Sequence, residues 1–454
     1  MDNVTNDGYF CHESPLFVRR HPANLHVGYW AYHASRPEPE SAVSNHMEGA
    51  RHLPFFSELA GLEDDDASWR AVSAGLVVLR LVDAWIEEGA AAVVADGWGM
   101  RSVEAAIEEM SAQLPARALL RGVVEAIKCS TASEMQLIAP RLLAYARSLD
   151  LDAKWSLAAD VYRSVIEHVH PLEESDVAIN AHIRLAYALR ELGQLDLSGA
   201  ACDDASALAQ RVGDMVGALR AQIGRARIAV TKGNLPAAEL FLDDTIARAG
   251  AGELPDVRAV ALQERANVAY LRGNYDSAVR FAYEALRDTQ DPINRDRLLG
   301  DIAGSFYMLG ARSVARDAFI ILEATAQEQY QRWIAGINLM EIAAADGATT
   351  IFERQRRLLL KQSLTPVLET QLHLHIGGGY AELGQPLAAR AALNSARALA
   401  EKYQFNQLLF AAEERLSSLA GGTPTRTPER LLEAPDLREI ATELRTRGRE
   451  LAAP

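Results

Sequence analysis

Apolar positions along most of this chain recur every three or four residues. Leu235, Ala238, Phe241, Leu242 and Ile246 form one such run, the spacing that gathers side chains on one face of an α-helix. Glycines punctuate the runs. Gly193, Gly233, Gly273, Gly310, Gly347 and Gly384 are separated by 40, 40, 37, 37 and 37 residues. A fixed period of this size marks an array of helical hairpins. Five places after each glycine stand Ser198, Ala238, Ala278, Ala315, Phe352 and Ala389; seven places before stand Ala186, Ala226, Ala266, Ala303, Met340 and Gly377. Small residues at both places let the two helices of a hairpin approach closely, and Phe352 is the outlier. Glycine ends each first helix because a left-handed C-cap costs it nothing. An earlier segment, LLAYARSLDLDAKWSLAADVYRSVIEHV, fits the same beat with Lys154 in the glycine place. The pattern predicts about seven hairpins over residues 135–420.

The best-formed unit is VAYLRGNYDSAVRFAYEAL. Its small residue, aromatic or aliphatic residue, glycine, aromatic residue and alanine fall at Ala266, Ala269, Gly273, Tyr275, Ala278 and Ala285. In this it resembles the tetratricopeptide-repeat family, although the period here exceeds that family's usual length of about 34 residues. The resemblance implies an all-α, right-handed superhelical array whose first helices line a concave groove for a protein or peptide. The family's ligand-contact places fall at Tyr187, Arg190, Arg227, Gln263, Asn267, Tyr270 and Tyr307, with Arg184, Arg220 and Arg297 on the same helices. Asn267 stands where the family often has an asparagine that hydrogen-bonds a peptide backbone. Arginines and tyrosines along one groove suit an extended peptide with acidic groups, through bidentate Arg–carboxylate bonds. Arg225 and Arg265, 40 residues apart, read instead as partners of nearby acids between hairpins.

The flanks follow different rules. Residues 1–62 have no steady period and hold His12, His21, His26, His33, His46 and His52. Residues 63–134 return to a helical pattern that leads into the array. GGTPTRTPE (421–429) has the composition of a linker, and residues 430–454 read as a helical tail that folds back to cap the array, since a solenoid needs a polar end.

Charge and chemistry narrow the function. A formal net charge of −15 over 454 residues argues against a general nucleic-acid binder, which needs a basic surface to displace counterions. Cys11, Cys129 and Cys202 have neither metal nor disulfide spacing, which suits a reducing compartment. The N-terminus lacks a signal-peptide pattern and no apolar run spans a bilayer, so the expected location is cytoplasmic. The histidine spacings match no zinc motif. Asp96-Gly97-Trp98-Gly99 and Gly377-Gly378-Gly379 lack the context of a phosphate loop. No metal, cofactor or catalytic set is expected. The expected function is that of a protein- or peptide-binding scaffold. A peptide-sensing receptor without its own DNA-binding domain, or an enzyme sited in residues 1–130, are the alternatives.

Overall fold

The computed structural model describes residues 51–62, 67–89, 97–129, 135–362, 364, 366–403, 405–419 and 431–452. Residues 1–50 and the linker at 421–430 lie outside them. Among the described residues the chain forms α-helices and one 3-10 turn (Met135–Leu137), and no strand. The helices are α1 (Leu53–Leu59), α2 (Ala67–Glu88), α3 (Gly97–Glu109), α4 (Pro115–Cys129), α5 (Ala139–Leu151), α6 (Trp155–His168), α7 (Ser175–Glu191), α8 (Leu195–Val212), α9 (Met215–Thr231) and α10 (Leu235–Ala251). They continue as α11 (Pro255–Leu271), α12 (Tyr275–Asp288), α13 (Pro292–Met308), α14 (Arg312–Thr325), α15 (Gln329–Ala345), α16 (Thr349–Leu359), α17 (Pro366–Glu382), α18 (Pro386–Tyr403), α19 (Asn406–Ser418) and α20 (Pro435–Ala452).

The chain divides into two compact units, with the division at Gly233. In the unit Ser35–Lys232, α5–α9 stack in chain order, and α7 touches both α5 and α9 two helices away. That is a helical-repeat arrangement. The preceding helices are part of the same body: Phe55, Trp85, Leu120 and Ile127 share one core with Tyr145, Tyr162 and Leu189. Gly75 on α2 allows the closest approach, because a Cβ there would lie 2.1 Å from the Tyr145 hydroxyl.

The unit beginning at Gly233 repeats the plan through α10–α19, and each first helix touches the next first helix from α11 to α19. Burial supplies the stability. Leu298, Ile302 and Phe306 on α13 are 0–1% exposed, and each such side chain contributes roughly 1.5–3 kcal/mol. Caps start several helices. Asp291 accepts hydrogen bonds from the Ile293 and Asn294 amides at 3.4 and 3.2 Å, with Pro292 entering the first turn. Asn234 accepts from the Ala237 amide at 3.2 Å.

The glycine beat is a turn beat. All six glycines have positive φ, from 69° to 81°. The Gly273 amide donates to Tyr270 O at 2.9 Å and the Asn274 amide to Ala269 O at 2.8 Å, the paired bonds of a Schellman C-cap. The same pair closes α7 at Gly193, α13 at Gly310, α15 at Gly347 and α17 at Gly384. The earliest turn differs from the sequence reading by one residue. Ala153, not Lys154, is the left-handed residue, with φ 56°; Lys154 donates to Leu149 O at 2.9 Å, the role of Asn274 elsewhere.

Two irregularities resolve each other. A Cβ on Gly377 would meet Leu393 at 2.5 Å, one on Gly378 would meet Arg415 at 2.7 Å, and one on Gly379 would meet Phe352 at 2.3 Å. The triple glycine is a packing surface, and Phe352, the large residue in a small-residue place, fills the room that Gly379 leaves.

The tail does not close the stack as the sequence suggested. Its main packing is against α14 and, to a lesser extent, α12. The apolar stripe of α20 finds its cover there.

Candidate functional site

The first helices carry polar residues at fixed distances before the turn. Nine places before the left-handed residue stand Arg184, Glu264, Asp301, Asn338 and His375; six places before stand Arg147, Tyr187, Arg227, Asn267 and Glu341; thirteen places before stand Arg220, Arg297 and Gln371. At about 100° per residue these three offsets fall within an arc of about 60°. Each first helix therefore presents one polar strip among apolar faces. Arg184, Tyr187, Arg220, Arg227, Asn267 and Arg297 lie in the strip. Arg190, Tyr270 and Tyr307, three places before the turn, and Gln263, ten before, lie at its edge.

In the unit Ser35–Lys232 the strip is rich in arginine. Arg184 and Arg227 are buried and Arg220 is half-buried. Arg190 stacks over the Tyr187 ring at 5.0 Å and donates from Nε to Glu191 Oε1 at 3.1 Å; Tyr187 meets Trp155 edge to face at 5.4 Å. Asp150, at the edge of the strip on α5, accepts a hydrogen bond from the Tyr162 hydroxyl at 2.5 Å. Burial pushes the Asp150 carboxyl up to about 7, although Tyr162, Arg184 and Arg147 oppose the shift. Near neutral pH this acid is therefore partly protonated.

In the second unit the strip is mixed and largely engaged within the fold. Gln263 donates to Asp301 Oδ2 at 3.3 Å. Burial, and the nearby Glu264, push Asp301 up to about 7 against Gln263 and Arg297. Tyr307 donates to Glu341 Oε1 at 3.3 Å, and His375 Nδ1 lies 2.8 Å from the other Glu341 oxygen. Arg297 pairs with Glu328 at 3.3 Å and is buried. Arg415, from α19, sits over Gly378 and donates to Leu374 O at 2.9 Å. Tyr270 packs edge to face on Tyr275 at 5.2 Å. Asn267 is half-buried.

Arg225 and Arg265 behave as the sequence implied. Arg225 pairs with Asp203, and Arg265 with Glu239 at 3.0 Å and Asp243 at 2.8 Å. The strip members that the sequence reading missed are Arg147, Glu264, Asp301, Asn338, Glu341, Gln371 and His375. Their signal was the constant offset from the glycine in helices whose other inward positions are apolar.

No group of histidine, cysteine and carboxylate residues that could hold a metal occurs among the described residues. His12, His21, His26, His33, His46 and Cys11 lie outside them. Cys129 is exposed and Cys202 is buried, both free. His52 has both ring nitrogens occupied, Nδ1 by Asp160 at 2.7 Å and Nε2 by Asp83 at 3.1 Å. Burial opposes charge on this ring, but the two carboxylates prevail and push its pKa up to about 9. His52 is thus an imidazolium clamp joining the start of α1 to α2 and α6. Among the described residues no helix is long and apolar enough to cross a membrane.

No family model matches the chain. No curated protein matches its sequence. Among solved structures, BtubC (BKLC) from P. vanneervenii is similar to it at 13% identity, covering 55% of this chain and 93% of that one, with a TM-score of 0.34. A Rap protein complexed with competence and sporulation factor is similar at 11% identity, covering 82% of this chain and 99% of that one, with a TM-score of 0.41.

Proposed function

We propose that this helical-repeat chain is a protein- or peptide-binding scaffold of the tetratricopeptide type, and that its Ser35–Lys232 unit takes an acidic polypeptide segment on the arginine strip of α5, α7 and α9. One observation carries this reading: Arg147, Arg184, Arg220 and Arg227 share a face on a chain whose net charge is −15. Guanidinium groups at these places suit a carboxylate-bearing ligand, which they hold through short, charge-assisted bonds. Tyr187, packed between the edge-on Trp155 ring and Arg190, adds a rigid aromatic surface beside the strip. In the second unit Asn267 supplies an amide suited to a peptide backbone.

The test is fluorescence anisotropy on the full chain with labelled unstructured peptides, one series rich in Asp and Glu and a matched series rich in Lys. The acidic series binds and the basic series does not. Arg220→Ala weakens binding by about tenfold, the loss expected for one charge-assisted hydrogen bond, and leaves the circular dichroism unchanged. Raising the salt weakens the wild-type complex, because partly exposed ion pairs are screened. Equal affinity for the acidic and basic series, or for the wild type and Arg220→Ala, overturns the assignment.

A further inference from the structure

Among the described residues, the long tail helix α20 lies outside the order of the stack. Among its described side chains Leu437, Ile440, Ala441 and Leu444 are buried, spaced i, i+3, i+4 and i+7. They join the core that contains Val279 and Ala282 of α12 and Val314, Ala318 and Phe319 of α14. This spacing is how an amphipathic helix anchors in a groove.

Polar contacts at the rim fix its direction. Arg280 on α12 holds the Asp436 carboxylate with two nitrogens, at 2.5 and 3.3 Å. Tyr283 donates to Glu443. Arg445 lies 3.6 Å from Asp317 on α14. An acid just before the stripe therefore meets a base on α12, and a base just after the stripe meets an acid on α14. The groove wall α14 is more deeply buried. Over 14 residues α14 buries Val314, Ala315, Ala318, Phe319, Ile321 and Leu322, and it has neighbours in the stack on both sides. The opposite face of α20, with Arg438, Glu439, Thr442 and Thr446, is exposed.

We infer that the surface formed by α12 and α14 is a helix-docking groove, that α20 is its exchangeable ligand in cis, and that the groove accepts in trans an amphipathic helix of the pattern Asp-apolar-x-x-apolar-small-x-x-apolar-Arg. This groove lies on second helices and is distinct from the arginine strip of the proposed function. The two readings stand or fall separately.

The test uses the full chain and a labelled peptide that copies residues 431–447. In the wild type, α20 competes from the same molecule at an effective concentration in the millimolar range, so the peptide binds weakly. The double variant Ile440→Asp, Leu444→Asp releases α20 and leaves the groove intact. It binds the peptide about a hundredfold more tightly than the wild type. Arg280→Asp in that background weakens the peptide by about fivefold, and a peptide carrying Asp436→Arg regains the loss.

Hydrogen exchange on the unmodified wild type provides a second readout: the amides of α20 exchange well before those of α14. The inference is overturned if the peptide binds both chains equally or neither. It is also overturned if α20 exchanges only together with α14, since α20 is then a fixed part of the core. A concentration-dependent dimer of the wild type that loses α20 protection on dilution would make a second copy, not the same chain, the source of the docked helix, and would overturn the cis assignment.

Discussion

Gly273 and Ala153 permit one backbone effect to be measured in both directions. Gly273 has φ +77°, and a Cβ built there meets nothing within 4 Å. A change to alanine therefore adds no clash, and only the backbone conformation is penalised. A left-handed alanine costs about 1–2 kcal/mol. Restricting the unfolded chain returns about 0.4–1 kcal/mol. The net expectation for Gly273→Ala is a loss of about 0.5–1 kcal/mol. Ala153 already bears the strain, at φ 56° in the equivalent turn, so Ala153→Gly gains a similar amount. The assay is urea denaturation followed by far-ultraviolet circular dichroism, with the two variants and the wild type in parallel. Repeat arrays can unfold in stages, so the comparison is made on the transition each residue belongs to, identified by hydrogen exchange. Opposite shifts of the two midpoints are expected. If Gly273→Ala is neutral and Ala153→Gly destabilises, the left-handed turn is not what the glycines provide.

Other outcomes follow from buried groups. His52, raised from 6.5 to about 9, contributes stability that is fully present below pH 6.5 and is lost as pH rises through 9. The loss is roughly 2–3 kcal/mol after discounting for screening, and His52→Gln flattens this part of a thermal-denaturation pH series. Asp150, raised to about 7, has the opposite chemistry and the same sign: as pH climbs from about 4 to 7, the folded state is disfavoured because ionisation of this carboxyl costs more when it is buried. Asp150→Asn keeps an acceptor for Tyr162 and removes that slope. For Gly379→Ala, a methyl 2.3 Å from Phe352 Cε2 and 3.2 Å from Ala344 Cβ overpacks the core by about 1–3 kcal/mol, offset by about 1 kcal/mol of better helix propensity. Phe352→Leu in that background recovers part of the melting temperature.

Much of the fold could be read from the chain because a left-handed turn leaves a visible residue. Gly193 to Gly384 announce their turns by identity. Ala153 and Glu253 adopt the same conformation, at φ 56° and 53°, without the residue that advertises it, and so the glycine spacing puts the first turn one residue late. The tail was harder. Leu437, Ile440, Ala441 and Leu444 show that α20 has an apolar face, but which surface receives it depends on distant partners such as Arg280 and Asp317, and local spacing says nothing about those. The polar strip lay between these extremes. Tyr187, Arg227 and Asn267 stand out by type, whereas Glu264, Asp301, Asn338 and His375 differ in chemistry and share only their position. A search for residue likeness passes over them; a search at a fixed distance before the glycine finds them.

Most hairpins of this array carry small residues on both sides of the turn, which any similar neighbour could satisfy. The joint between α16 and α17 is different: Phe352 needs an absent side chain at residue 379. A duplicated or transposed copy of residues 349–359 would arrive with a ring and no place for it, while its former neighbour would keep an empty notch. Two residues in different hairpins thus set which units stand side by side at this seam.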